Sequence, residues 1–153
     1  MLELCWACFR LLDFGCGTGE TTRALAEGVL GGLGAAGEVV GVDLSQEMIQ
    51  HCQSAHLTST TPGLSFTQLD VTQAQSFISS QLATFSCLTS FSCLHWVPDQ
   101  PAAISLFNKV LRPGGKFLFV VAGTQNVETN PQRKVFEDMK TEEKWKDLLG
   151  NTR

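Results

Sequence analysis

The chain lacks two features that would define other classes of protein. It has no excess of positive charge, since 11 Lys and Arg stand against 15 Asp and Glu. Neither nucleic acid nor an anionic membrane is therefore expected as its main partner. No apolar run is long enough to span a bilayer, and Met1–Leu4 contain no basic residue of an export signal. We expect a cytoplasmic protein of one domain, either a monomer or a homodimer.

A second C-x-x-C motif, which would complete a structural zinc site, is also missing. Cys5 and Cys8 form one C-x-x-C pair, but this pair leads into a predicted strand, whereas a redox pair normally opens a helix. The other cysteines occupy apolar patterns, where a thiol is ordinarily a small buried hydrophobe. They are Cys16, Cys52, Cys87 and Cys93. We expect no metal site and a reducing compartment.

What the chain does contain is a regular alternation of strands and helices. The predicted strands are Phe9–Phe14, Glu38–Val42, Leu64–Leu69, Phe85–Ser92 and Lys116–Val121. The predicted helices are Thr21–Leu30, Gln46–His56, Thr72–Leu82 and Pro98–Leu111, with a turn at Arg112–Gly115. Strands joined by crossover helices predict an α/β fold, a doubly wound parallel sheet with helices on both faces. Ligands of such sheets bind beyond the carboxyl ends of the strands.

A glycine-rich turn follows the first predicted strand. The sequence Asp13-Phe-Gly-Cys-Gly-Thr-Gly19 runs directly into a helix, an arrangement that brings bare backbone N–H groups against a nucleotide-like ligand. The dinucleotide pattern G-x-G-x-x-G fails in both frames, because its third glycine would fall on Glu20 or on Thr22. A dehydrogenase is therefore disfavoured.

The D-x-G-x-G-x-G form resembles motif I of the class I S-adenosylmethionine-dependent methyltransferases. Val42–Met48, Gln68–Val71 and Leu111–Lys116 resemble three further elements of that family, in the family's order. The resemblance implies a Rossmann-like sheet ordered 3-2-1-4-5 and S-adenosyl-L-methionine as cofactor. It also implies that Asp43 accepts the ribose hydroxyls, while Asp70 and the Val71 N–H read the adenine. The residues predicted to bind the cofactor are Asp13, Gly15, Cys16, Gly17, Thr18, Gly19, Asp43, Leu44, Asp70, Val71 and Ser92.

The segment Ser90–Gln100 is similar to the one that follows strand four in arthropod juvenile hormone acid O-methyltransferases. Related carboxylate methyltransferases, which act on trans-aconitate or on malonyl carrier protein, have Gln in place of His95. The resemblance implies methyl transfer to a small hydrophobic carboxylic acid, giving a methyl ester. Two alternatives are a methyltransferase for another acid, similar to trans-aconitate, and a cofactor-binding remnant that acts through a partner chain without catalysis.

A carboxylate is already ionised at neutral pH, so its methylation needs no general base. The indole N–H of Trp96 suits the task of holding one carboxylate oxygen, and His95 is a candidate second donor. Alternatively, Trp96 is a core aromatic, and His95 satisfies backbone groups beside the pocket. An apolar wall for the acceptor is predicted from Leu94, Val97, Phe136 and Met139.

The two ends of the chain differ from the family pattern. Only Met1–Cys8 precede the first strand, where the family has a helix, and the chain stops at Arg153 before the family's last two strands. We therefore expect a single methyltransferase domain truncated at both ends, with a cofactor-binding core at 1–125. Residues 126–153 are expected to begin a helical lid, or to form a solvated surface helix with one apolar stripe.

Overall fold

The computed structural model describes residues 9–32, 37–55 and 61–121, together with residues 135, 138, 139, 141 and 142. The chain divides into two compact units, Met1–Val121 and Ala122–Arg153, and the sheet lies in the first. The predictions for Cys5, Cys8 and Phe136 concern residues outside the described ones. Within the second unit, the Thr141 hydroxyl donates to the Asp138 carbonyl oxygen at 2.7 Å.

In the described residues of the first unit, five strands and four helices alternate. The strands are β1 (Arg10–Phe14), β2 (Glu38–Asp43), β3 (Leu64–Gln68), β4 (Phe85–Phe91) and β5 (Leu111–Val120). The helices are α1 (Glu20–Gly32), α2 (Gln46–Ser54), α3 (Gln75–Gln81) and α4 (Gln100–Val110). Two short 3-10 turns, Val71–Gln73 and Leu94–Trp96, follow β3 and β4.

The strands form one parallel sheet in the order β3-β2-β1-β4-β5, which confirms the predicted fold. Side chains alternate between its faces, because successive residues of a strand point to opposite sides. On one face, Leu11 packs with Ala26 of α1 and Ile49 of α2. On the other face, Leu12 packs with Leu106 of α4 and is joined by residues of α3. The helices therefore cover both faces of the sheet, and the ligand-binding edge is left open.

The predicted start of the fifth strand, after a turn at Arg112–Gly115, is wrong, because the strand already begins at Leu111. Leu111 pairs with Phe85, and the next pair joins Lys116 to Cys87. Four residues of β5 therefore stand opposite a single residue of β4, which is an enlarged β-bulge. The turn exists as a bulge within the strand rather than as a separate loop.

Two further boundaries differ from the prediction for local reasons. The predicted helix Thr72–Leu82 is divided into the 3-10 turn Val71–Gln73 and α3, because the Asp70 carboxylate caps the first of these by accepting from the Thr72 N–H. The predicted fourth strand ends one residue early, because Ser92 adopts a left-handed backbone conformation with φ of 53°. That conformation is incompatible with an extended strand.

Candidate functional site

The glycine-rich loop between β1 and α1 is fixed by contacts that only glycine allows at its first position. Gly15 has φ of +78°, and a Cβ atom there would overlap the Cβ and Sγ atoms of Cys93. Its backbone N–H donates to the Val42 carbonyl at 2.8 Å. Gly17 is also left-handed, with φ of +54°, but a Cβ there would meet no atom within 4 Å. The loop thus packs tightly at Gly15 and is open at Gly17.

Asp43, at the end of β2, receives hydrogen bonds from two segments of the backbone. Its Oδ2 accepts from the Gly17 N–H at 2.9 Å, and its Oδ1 accepts from the Ser45 N–H at 2.9 Å. The Ser45 hydroxyl in turn accepts from the Met48 N–H and caps α2. Each carboxylate oxygen has a second lone pair. Asp43 is therefore held in one orientation with acceptor capacity to spare.

Asp13 does not lie on the cavity wall, although the sequence predicts that it contacts the cofactor. It is 2% exposed, and both its oxygens are occupied, by the Thr22 hydroxyl at 2.6 Å and by the Thr89 hydroxyl at 2.7 Å. These bonds join β1 to α1 and to β4 immediately behind the loop. The physical reason is strand alternation, which directs this side chain into the protein rather than toward the ligand.

Burial raises the pKa of Asp13 above its ordinary value of 3.8, while the two threonine hydroxyls oppose the shift. Between 3.8 and the raised pKa, the folded protein binds more protons than the unfolded chain. The free energy of unfolding therefore falls as pH rises through that window and levels off above it. Asn cannot titrate, so the Asp13→Asn variant should lack this dependence.

The check is urea unfolding of the wild type and Asp13→Asn at a series of pH values. The stability of the wild type relative to the variant should decrease as pH rises from 3.8. Glu47→Gln, which removes an exposed carboxylate on α2, is the control for a general change in charge. A difference that stays flat or increases with pH would contradict the prediction.

A cavity of about 430 Å³ opens at the carboxyl ends of β1 to β4. This volume is within the usual range for a small-ligand site. Its lining residues are Phe14, Gly15, Val42, Asp43, Leu44, Leu69, Asp70, Val71, Thr72, Cys93, Trp96, Val97, Pro98 and Asp99. Three of these are acidic and none is basic, so the described wall favours a cationic ligand.

Six of the predicted site residues line this cavity, namely Gly15, Asp43, Leu44, Asp70, Val71 and Trp96. The others lie around it rather than on its wall. Cys16 and Gly19 are buried, Gly17 is half-buried, and Thr18 and Ser92 are exposed.

One side of the cavity is formed by the residues that follow β4. Trp96 is 77% exposed, so within the described structure it is not a core aromatic. His95 lies beside it, with 5.2 Å between the ring centroids. The His95 Nδ1 atom is buried and has no hydrogen-bond partner among the described residues. Leu94, predicted for the apolar wall, is instead partly buried against the core, whereas Val97 does line the cavity.

Sequence reasoning missed several lining residues, chiefly Phe14, Leu69, Thr72, Cys93 and Asp99. Each lies within two or three residues of a motif residue at a strand end. A search of the positions that flank each motif would have found them. Asp99 also caps α4, since its carboxylate accepts from the Ala102 N–H at 2.8 Å.

The cysteines around the loop are protonated thiols. Burial, then the adjacent Cys52 thiol and the charges of Asp43 and Asp13, raises the pKa of Cys16 far above its ordinary range. Burial followed by the same two carboxylates raises the pKa of Cys93 as well. The charges of Asp43 and Asp13 thus add to the effect of burial at both thiols.

Two other classes of site are absent from the described part of the chain. No three His, Cys, Asp or Glu side chains there are grouped so as to hold a metal ion. None of the helices in those residues is long and apolar enough to cross a membrane.

Residues 11–115 match the methyltransferase domain family, and the chain belongs to that family. Over 143 residues it is 27% identical to trans-aconitate 2-methyltransferase of Streptomyces avermitilis, covering 94% of this chain and 49% of that protein. It is also 27% identical over 140 residues to juvenile hormone acid O-methyltransferase of Drosophila melanogaster, covering 91% of this chain and 43% of that protein. The chain thus spans less than half the length of these two relatives.

The fold has solved counterparts. A structure of PKMT2 from Rickettsia typhi in complex with AdoHcy superposes with a TM-score of 0.68 and 22% identity, covering 89% of this chain and 24% of that one. At this identity the likeness concerns the fold. The family match defines a methyltransferase domain, and the fold agrees with it.

Proposed function

We propose that this protein transfers the methyl group of S-adenosylmethionine to the carboxylate of a small hydrophobic acid, giving a methyl ester. The observation that carries the proposal is the position of Trp96. Its side chain lies on the wall of the same cavity as Asp43 and Asp70 and is largely exposed. An exposed indole N–H beside a cofactor site is a hydrogen-bond donor that the described fold does not use. The names of the two relatives, an acid O-methyltransferase and a trans-aconitate methyltransferase, support an acid as acceptor.

The cofactor is proposed to lie across the strand ends in one direction. Gly15 and its neighbours Gly17 and Gly19 face the methionine portion, Asp43 accepts the ribose hydroxyls, and Asp70 with Val71 reads the adenine. Asp43 suits the ribose because both its oxygens are oriented by backbone donors and retain free lone pairs. The absence of basic side chains from the described wall suits a sulfonium cation.

The chemical step then asks for alignment rather than acid–base catalysis. A carboxylate oxygen attacks the methyl carbon as the bond between that carbon and the sulfonium sulfur breaks, which leaves the methyl ester and neutral S-adenosylhomocysteine. No proton moves, because the acceptor is ionised at neutral pH. Trp96 holds the second carboxylate oxygen through its N–H, and His95 is proposed as a further donor. The wall at Val97 and Pro98 excludes water from the acceptor's apolar chain.

Three proposed details lie beyond the first unit or beyond this chain. The predicted contribution of Phe136 and Met139 to the apolar wall stays a prediction, because both residues belong to the second unit and Phe136 lies outside the described residues. A cytoplasmic location, and a monomer or homodimer as the assembly, are proposals of the same kind.

The test is transfer of a labelled methyl group from S-adenosylmethionine to an organic acid. Farnesoic acid and juvenile hormone acid should yield labelled ester, and trans-aconitate is offered beside them as the acid of the alternative. Ester from trans-aconitate alone would replace the hydrophobic acid as substrate class. No ester from any acid, in a folded protein that binds the cofactor, would favour a binding domain that acts through a partner chain.

Replacing Trp96 with phenylalanine separates orientation from packing, because most of the volume stays and the N–H is lost. A hydrogen bond from a neutral donor to a charged group contributes about 1.5–3 kcal/mol. We expect kcat/KM for the acid to fall roughly ten- to a hundred-fold while the affinity for cofactor is unchanged. Leu82→Ala, at a residue 61% exposed and absent from the cavity lining, is the control. Normal methylation by the phenylalanine variant would make Trp96 a packing residue.

A further inference from the structure

The loop after β3 contains a hydrogen-bond arrangement that the proposed function leaves unused. Asp70 and Thr72 both line the cavity. The Thr72 backbone N–H donates to Asp70 Oδ1 at 2.8 Å, and the Thr72 hydroxyl donates to the same oxygen at 2.7 Å. No residue in the described part of the chain donates to Oδ2. One oxygen of this carboxylate is thus doubly occupied, and the other is free for a ligand.

Packing does not hold the Asp70 side chain, which is only half-buried. An unpacked carboxylate rotates about its broad terminal torsion, so the two bonds from Thr72 are what fix its orientation. The same two donors lower the pKa of Asp70, which keeps the group ionised. An ionised carboxylate accepts hydrogen bonds and cannot donate them. The free oxygen therefore matches an amino group on a purine and opposes a carbonyl group in the same position.

We propose that Thr72 is a positioning residue that makes the site selective for a 6-amino over a 6-oxo purine, by fixing Asp70 with one oxygen open to the base. The inference rests on the proposed contact between Asp70 and the adenine, but not on methyl transfer to an acid. The backbone N–H of Thr72 is present in every variant, so the hydroxyl is the part that substitution can test.

The experiment compares two ligands that differ in one group. S-adenosylhomocysteine has the 6-amino group, and S-inosylhomocysteine has an oxygen in its place. Their dissociation constants are measured by calorimetry for the wild type, Thr72→Val and Thr72→Ser. Valine keeps the volume and the branched Cβ but has no hydroxyl, whereas serine keeps the hydroxyl. Equal midpoints of urea unfolding among the three proteins show that any change is local.

We expect Thr72→Val to weaken binding of the adenosyl ligand by about 3- to 10-fold, the effect of one lost hydrogen bond. The inosyl ligand should be affected less, so the preference for the amino group shrinks by a similar factor. Thr72→Ser should retain both the affinity and the preference. An equal loss for both ligands, or unchanged binding by the valine variant, would overturn the proposal.

Asp70→Ala distinguishes the inference from its premise. If Asp70 reads the base, this variant loses most of the preference for the amino group. The ratio of the two dissociation constants in Thr72→Val should then approach the ratio in Asp70→Ala. If the alanine variant keeps the wild-type preference, the adenine is read elsewhere and the role of Thr72 is refuted with it. This test measures only binding. Its result therefore does not depend on whether the methyl-transfer assay yields any ester.

Discussion

Replacing Gly15 with alanine should destabilise the fold by about 2–5 kcal/mol. A left-handed conformation costs a residue with a Cβ roughly 1–2 kcal/mol, and Gly15 has φ of +78°. Overlap of the new methyl group with Cys93 adds a packing penalty of about 1–3 kcal/mol. The loss is large against a typical total stability of about 5–15 kcal/mol. The midpoint of urea unfolding, followed by circular dichroism, measures it.

Gly17→Ala is the matched control, because Gly17 is left-handed too but a Cβ there meets nothing within 4 Å. It should therefore show only the conformational cost, about 1–2 kcal/mol. Combining Gly15→Ala with Cys93→Gly removes the overlapping atoms. The double variant should therefore recover the part of the lost free energy of unfolding that comes from packing. If the loss is the same in both backgrounds, backbone strain alone makes glycine necessary at position 15.

Asp43→Ala should weaken binding of S-adenosylmethionine by about 2–3 kcal/mol, or roughly 30- to 160-fold. Two charge-assisted hydrogen bonds to the ribose are removed if the proposed pose is correct. The Gly17 N–H also loses its acceptor at 2.9 Å, so the loop is less well ordered before binding. Calorimetry with the folded variant measures the change, and unchanged affinity would refute the assignment of Asp43.

The ribose contact and the ordering of the loop are separable with a modified ligand. A 2′,3′-dideoxy analogue of S-adenosylhomocysteine has no hydroxyls for Asp43 to accept. The wild type should bind this analogue much more weakly than the parent, whereas Asp43→Ala should bind the two almost equally. If the variant discriminates as strongly as the wild type, its weaker binding comes from the loop alone.

The order of the sheet was accessible from the sequence only through the family resemblance, which implies it, while the alternation of strands and helices predicts a parallel sheet of unspecified order. Asp43 and Asp70 each follow a predicted strand, and parallel strands bring their carboxyl ends to one edge. That argument needs no side-chain conformations. Together with the strand order that the resemblance implies, it correctly brings these two acids and Gly15 to one cavity.

Side-chain direction was not accessible in the same way. Asp13 belongs to the same motif as Gly15, yet the alternation of β1 turns it toward two buried threonines of other elements, Thr22 of α1 and Thr89 of β4. The left-handed residue Ser92 and the bulge within β5 depend on tertiary pairing as well. No local pattern indicates such contacts, because each one is set by residues from another element.

The protonated thiols beside the glycine-rich loop make it possible to measure how often that loop opens. Alkylating reagents attack the thiolate form of an accessible cysteine, and Cys16 is 8% exposed and Cys52 is fully buried. Both thiols should therefore be labelled only during excursions that expose the loop, at a rate set by how often it opens. A bound cofactor would slow that labelling. Mass spectrometry of a timed alkylation would then measure the rate of local opening at each cysteine, without any need for methyl transfer.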